Sequence, residues 1–259
     1  MQNNDRRAAN VREFERVQRL ISDTPELQSA VDASIKNTRL YRDKSETHVV
    51  GNRRGEVRVF DASSFDVARP LVAENHRVAV LNMASATNAG GGVANGANAQ
   101  EECLCRESTL YPCLKTDLLW RDYYSFHRNR NDAAYTDAVI FTPEVVVLSE
   151  PRFSVDVVSV AAPNLGRCNL DTQSSAELIR ARIAKVMDIC AAQGDTAIVL
   201  GALGCGAFRN DPKLVARELK TLLYDDGYAK LFDRVDFAVL GRGEVGRANY
   251  QEFKSALSL

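Results

Sequence analysis

The sequence predicts an α/β fold, a mixed and mainly parallel sheet between helical layers, preceded by a helical segment. Three observations predict it. From about residue 55 onward, short apolar runs rich in β-branched residues alternate with helical stretches. Several of those runs are nearly continuous in apolar residues, as in strands covered on both faces. Before residue 55, the apolar positions instead recur at helical spacing.

Residues 4–32 contain good helix formers with Val11, Phe14, Val17, Leu20 and Ile21 on one stripe. Ser22–Pro25 breaks the pattern, so one or two helices are expected. The strand-like runs are Glu56–Phe60, Arg77–Asn82, Ala138–Phe141, Val145–Ser149, Ser154–Ala161, Thr196–Gly201 and Val235–Leu240. Between them lie helical stretches over Ser63–Glu74, Gln100–Leu110, Leu118–His127, Ser174–Ala192, Asp211–Tyr224 and Gly246–Leu257. Ser174, with Glu177 three residues on, has the form of a capping box, and Pro212 suits a first helical turn. The expected organisation is an N-terminal helical extension (1–54) packed on one compact domain (55–259), without repeats or linkers.

Composition excludes several classes. The 259 residues are 45% hydrophobic and 26% charged, near the globular average, which rules out disordered, collagen-like and coiled-coil chains. Thirty-three basic against 34 acidic residues give a net charge of -1, so no overall basic surface for DNA is advertised. No apolar run reaches the roughly 20 residues of a membrane span, and the charged N-terminus lacks a signal-peptide core. A cytosolic chain is therefore expected. Cys103, Cys105, Cys113, Cys168, Cys190 and Cys205 show one C-x-C pair, and the three histidines (His48, His76, His127) are scattered. That is not metal-ligand spacing, so free thiols and no metal are expected.

Ligands of such sheets bind at the carboxyl ends of strands, and two glycine-rich loops stand there. The first, NMASATNAGGGVANGANAQEE, carries Gly90, Gly91, Gly92 and Gly96. Missing Cβ atoms let backbone amides approach a ligand and permit positive φ, although a flexible surface loop reads the same way. Neither a Walker A nor a dinucleotide fingerprint is present. Glu101 and Glu102 then open a helix. They serve either its macrodipole or, if partly desolvated, as an acid holding its proton near neutral pH. Neighbouring helical residues point about 100° apart, so the pair would reach one ligand from different directions. The second loop, GALGCGAFRNDP, joins small residues to a helix N-terminus and suits a phosphate or diphosphate held by amides. Phe208 at its tip either folds back on the core or covers a sugar or base.

The string GGGVANGANAQEE resembles the signature of poly(ADP-ribose) glycohydrolases, GGG, a spacer of six to eight residues, then QEE. VLNMASATNAGGG, CLCRESTLYPCL, VAAPNLG and LGALGCGAFRNDP resemble the bacterial branch, and the resemblance spans about residues 5–257. It implies a macrodomain-like fold and hydrolysis of ribose–ribose O-glycosidic bonds in poly(ADP-ribose), without metal or cofactor. It also implies that Glu102 is the catalytic acid/base and Glu101 orients the distal ribose. Asn88, Gly90, Gly91, Gly92 and Gln100 would lie along the substrate, with Gly204, Cys205, Gly206, Ala207 and Phe208 at the diphosphate and distal ribose. Ala89 departs from the family, where proline is common, and should only loosen the loop. The adenine contacts carry no transferable motif. Implied partners are poly(ADP-ribose), ADP-ribose and ADP-ribosylated proteins, bound by a monomer that touches neither DNA nor membrane. Two alternatives stay open: a non-catalytic ADP-ribose-binding domain, and a hydrolase of mono-ADP-ribosylated proteins. Exo action is expected, because the near-neutral charge suits one pocket better than a basic track.

Overall fold

The computed structural model describes residues 2–42, 51–130 and 132–258. Seven strands form one sheet in the order β1-β4-β5-β3-β6-β7-β2. They are β1 (Arg39–Tyr41), β2 (Glu56–Phe60), β3 (Val78–Met83), β4 (Val139–Val147), β5 (Phe153–Val160), β6 (Ala197–Leu200) and β7 (Arg234–Ala238). From β5 across to β2 every pairing is parallel, while β4 and β1 add an antiparallel edge. Alternate residues feed two cores. Val78 and Val80 of β3 pack under α3 (Ser64–Ala73) and α4 (Gln100–Glu107), whereas Ala79 and Leu81 face α8 (Thr172–Gln193) and α9 (Pro212–Lys220). This two-sided burial is why the runs read as continuous apolar stretches.

The N-terminal pair α1 (Gln2–Asp23) and α2 (Pro25–Asn37) builds a third cluster from Val17, Ile21, Leu27 and Val31 around Cys113. That cysteine lies on α5 (Leu110–Leu114). Phe14 meets Tyr111 edge-on at 4.8 Å, which ties α1 to the segment after the first glycine loop. The helical extension also supplies β1, three residues too short to show a period.

Other sequence expectations shift for physical reasons. The two runs around residue 143 are one strand, β4, whose register slips between Thr142 and Val145. Pro143 cannot donate to the ladder and Glu144 sits at φ 55°, so a bulge absorbs both. The expected helix over Gln100–Leu110 stops at Glu107, because the Thr109 N–H donates across to the Val146 carbonyl of β4 and the Glu107 carbonyl accepts the Leu148 N–H. The cap of α8 is Asp171, not Ser174: the Asp171 carboxylate accepts the Ser174 N–H at 2.9 Å and its hydroxyl at 2.6 Å. Leu118–His127 is helical throughout but mixed, with α6 (Asp117–Leu119), a π turn (Trp120–Tyr124) and α7 (Ser125–Asn129). The final helix, α10 (Gly243–Leu257), begins three residues earlier than expected.

Candidate active site

The carboxyl ends of β5, β3, β6 and β7 lie side by side, and the loops leaving them enclose a cavity of about 590 Å³. That size suits a nucleotide-sized ligand. Its walls are the two glycine loops, the head of α4, Ala162 after β5, and Ala238–Leu240 after β7.

Gln100 anchors α4 to the sheet. Its side-chain oxygen accepts the Met83 N–H at 2.9 Å, and its amide donates to the Leu81 carbonyl at 2.6 Å. Expected at the substrate, Gln100 touches the cavity but spends its polar atoms on β3, holding the next two residues at a fixed height. Glu101, buried, accepts the Ser85 N–H at 2.7 Å and a weaker contact from the Asn82 amide at 3.4 Å. Burial pushes the Glu101 carboxyl up to about 8. Glu101 therefore keeps its proton at neutral pH.

Glu102, also buried, accepts two backbone N–H groups, from Gly92 at 2.8 Å and from Ala99 at 2.9 Å. The second bond reaches back over the first turn, where Ala99 has no side chain to cap α4. The helix-capping and ligand-facing readings of these glutamates thus hold together in one side chain. Gly91 explains the absence of a Cβ in the loop. It sits at φ 60°, and a Cβ there would lie 2.4 Å from Glu102 Oε1 and 3.1 Å from Glu101 Oε2. Both carboxyls converge on this residue, despite leaving the helix in different directions.

The remaining expected residues divide. Asn88, Gly91 and Gly92 line the cavity. Gly90 does not; its Cα faces the Tyr111 ring and the Cys105 thiol, so its missing Cβ serves packing. In the second loop Gly204, Gly206, Ala207 and Phe208 line the cavity, whereas Cys205 turns its thiol into the core, pushed up to about 12 by burial. A Cβ on Gly206 would meet nothing within 4 Å, so the loop has open space there. Phe208 is half-buried, packed on the core and against Tyr135 with ring centroids 6.3 Å apart, and it also lines the cavity. His48 lies outside the described residues. Among the described residues, no three His, Cys, Asp or Glu side chains gather as a metal site.

Sequence reasoning missed the supports and one wall. Asn210, buried, donates to the Pro163 and Gly204 carbonyls at 2.9 and 3.1 Å and accepts the Ser175 hydroxyl at 2.5 Å, fixing the second loop. Asn249 of α10 donates to the Cys205 carbonyl at 3.3 Å and reaches the cavity itself. The wall from β7 has no motif, since Ala238, Val239 and Leu240 are plain apolar residues. Only the strand order, which sets β7 beside β6, could have marked it.

Comparisons with known proteins agree with this geometry. The family described as the microbial-type PARG catalytic domain matches residues 15–150. The crystal structure of poly(ADP-ribose) glycohydrolase (PARG) from Thermomonospora curvata is similar at 30% identity, with TM-score 0.82 over 98% of this chain and 99% of that one. The same enzyme bound to the inhibitor ADP-HPD matches at 30% identity and TM-score 0.81 over 96% and 98%. PARG from Deinococcus radiodurans in complex with ADP-ribose matches at 32% identity and TM-score 0.79 over 87% and 96%. No protein of curated function matches the sequence. The expected macrodomain-like α/β architecture is the one observed.

Proposed function

The chain belongs to the microbial-type PARG family, and on that premise we propose that it hydrolyses the ribose–ribose O-glycosidic bonds of poly(ADP-ribose), releasing ADP-ribose. The observation that carries this reading is the buried glutamate pair, converging on Gly91 beside a cavity of nucleotide size. A pure binding domain needs no buried acid there.

In this reading the terminal ADP-ribose unit occupies the cavity, its diphosphate against the amides of Gly204–Phe208 and its distal ribose between Phe208 and the Gly91–Gly92 edge. Glycoside cleavage faces a poor leaving group and an oxocarbenium-like transition state. Glu102 donates its proton to the departing ribose oxygen as the glycosidic bond breaks, then accepts a proton from the water that attacks the anomeric carbon. Glu101 stays neutral and positions: it accepts the Ser85 N–H and offers its own O–H to a ribose hydroxyl. The nearby diphosphate offsets the positive charge growing on the ring.

Terminal, exo cleavage by a metal-independent cytoplasmic monomer completes the proposal. Its support is the nucleotide-sized cavity, the near-neutral charge, and cysteines and histidines without ligand spacing.

Product analysis tests this directly. Purified chain is incubated with poly(ADP-ribose) and with singly ADP-ribosylated protein, each with and without EDTA. Free ADP-ribose from polymer, unaffected by chelator, is expected. Release only from the singly modified protein would instead identify a mono-ADP-ribosyl hydrolase. No release from either, with ADP-ribose still bound, would identify a binding domain.

A further inference from the structure

Outside the cavity, residues 117–130 carry three of the five exposed large apolar side chains among the described residues: Leu118, Trp120 and Phe126. Trp120 and Phe126 each lie under a guanidinium. Arg128 Cζ is 5.1 Å from the Trp120 ring centroid, and Arg130 Cζ is 5.3 Å from that of Phe126. Neither arginine has a carboxylate partner among the described residues; the ion pairs of this segment join Asp122 to Arg42 and Arg121. The π turn from Trp120 to Tyr124 widens the helix where Trp120 leaves it, a distortion that frequently marks functional positions.

This ridge is mechanically joined to the cavity. Arg128 Nη2 donates to the Asn88 side-chain oxygen at 2.6 Å, and Asn88 lines the cavity. A row of rings runs inward beside it: Phe126 to His127 at 5.4 Å, His127 to Tyr135 at 5.9 Å, and Tyr135 to Phe208 at 6.3 Å. His127 is fixed at both ring nitrogens, against the Tyr123 carbonyl and the Thr136 hydroxyl, each at 2.8 Å. The path from Phe126 to the cavity wall is therefore pinned rather than loose.

Exposed rings beside arginines without a carboxylate partner have the chemistry of a surface that stacks bases and pairs with phosphates. We propose that Trp120, Phe126, Arg128 and Arg130 bind the units of poly(ADP-ribose) that lie outside the cavity. Adenine rings stack on the two aromatics, and diphosphates pair with the two guanidinium groups. The inference rests on the polymer-hydrolase reading above and extends it from one unit to several.

The chain's only tryptophan is Trp120, so intrinsic tryptophan fluorescence reports on the ridge alone. The experiment titrates full-length Glu102→Gln protein, slowed in cleavage, with ADP-ribose oligomers of defined length and with ADP-ribose itself. Oligomers are expected to quench the emission strongly, and ADP-ribose to bind by calorimetry with little quenching. Replacing Phe126 and Arg130 together by Ala should weaken oligomer binding about tenfold or more, given the usual effect of a lost stacking partner. The same double variant should flatten the salt dependence and leave ADP-ribose affinity within about twofold. Oligomers that leave the emission unchanged, or bind the double variant as tightly as the parent, overturn the proposal. So does quenching that grows with protein concentration alone, which would make the ridge a contact between copies. Equal quenching by poly(A) RNA would overturn it too, as a general single-strand surface. Each of these failures leaves polymer hydrolysis by the unaltered chain standing, whereas loss of that hydrolysis would strike the functional reading itself.

Discussion

Glu102 and Gly92 are joined by a 2.8 Å hydrogen bond that ties the head of α4 to the glycine triplet. The other carboxylate oxygen of Glu102 closes onto Ala99 N–H at 2.9 Å. The residue assigned the proton chemistry thus also holds the loop in shape, so its substitution is expected to affect both.

Glu102→Gln should leave ADP-ribose affinity largely intact and lower turnover of poly(ADP-ribose) by a factor on the order of 10² to 10⁴. A glutamine has one carbonyl oxygen for two N–H donors, and its amide would face the other, so a stability loss of about 1 kcal/mol is expected as well. Calorimetry, steady-state kinetics and thermal melting separate the three effects. Polymer hydrolysis near the parent rate would remove Glu102 from the mechanism.

Glu101→Gln should act differently, because Glu101 is already neutral. Its raised value near 8 means the productive form exists below that pH and is lost above it. Parent activity is therefore expected to decline as the pH rises through about 8, and Glu101→Gln to lack that decline while losing less turnover at pH 7 than Glu102→Gln. The stability sign follows the same shift. A carboxyl raised in the folded state adds stability fully present below its unfolded value and lost as pH rises through the folded one. The variant should therefore melt at a higher temperature than the parent above pH 8. Identical alkaline limbs in the two pH–rate profiles would assign that limb to another group.

Gly91→Val should damage the site far more than the fold. Its Cβ would stand 2.4 Å from Glu102 Oε1, and φ 60° is a strained setting for a β-branched residue, costing roughly 1–3 kcal/mol. The collision is with the glutamates, not with a ligand-facing gap, so turnover should fall at least as far as affinity. Gly206→Ala is the complement: its Cβ meets nothing within 4 Å, so only ligand contact can be disturbed. Weaker ADP-ribose binding at unchanged melting temperature is expected there. An unfolded Gly91→Val protein would make the triplet structural, and an unaffected Gly206→Ala would move the diphosphate off the second loop.

Asp195, just before β6 at the end of the sheet opposite the cavity, is buried with Asp156 beside it and only Arg77 Nε 3.6 Å away. Arg77 gives its closer contacts, 2.7 and 2.9 Å, to Asp156. Burial and the Asp156 charge raise the Asp195 carboxyl well above the usual range. Its protonated form favours the fold, so stability falls as pH rises through that value. Asp195→Asn should match the parent near pH 4 and exceed it at pH 8 by about 1–3 kcal/mol, with turnover unchanged. Denaturant unfolding at the two pH values measures this, and a variant less stable at both would mean that the Asp195 charge is well compensated.

The sequence by itself determined the fold class, because two-sided burial of parallel strands leaves short continuous apolar runs rich in β-branched residues, alternating with helical stretches. The string GGGVANGANAQEE and the loop GALGCGAFRNDP were legible for a related reason: missing Cβ atoms and adjacent acids are written in residue types. Tertiary structure alone decided which residues of those strings face the cavity. Gly90 and Cys205 turn to the core and Gln100 to β3, because φ, helix phase and strand register set side-chain direction, and none of these is a property of composition. It also decided that burial falls hardest on Glu101. Desolvation is the sum of what surrounds a group, and the surroundings of Glu101 come from Asn82, Ser85 and the head of α4, which only folding brings together. The wall after β7 and the ridge at Trp120 belong to the same class. Their residues are ordinary in sequence; strand order sets the wall at the cavity, and helix placement joins the ridge to it through Asn88.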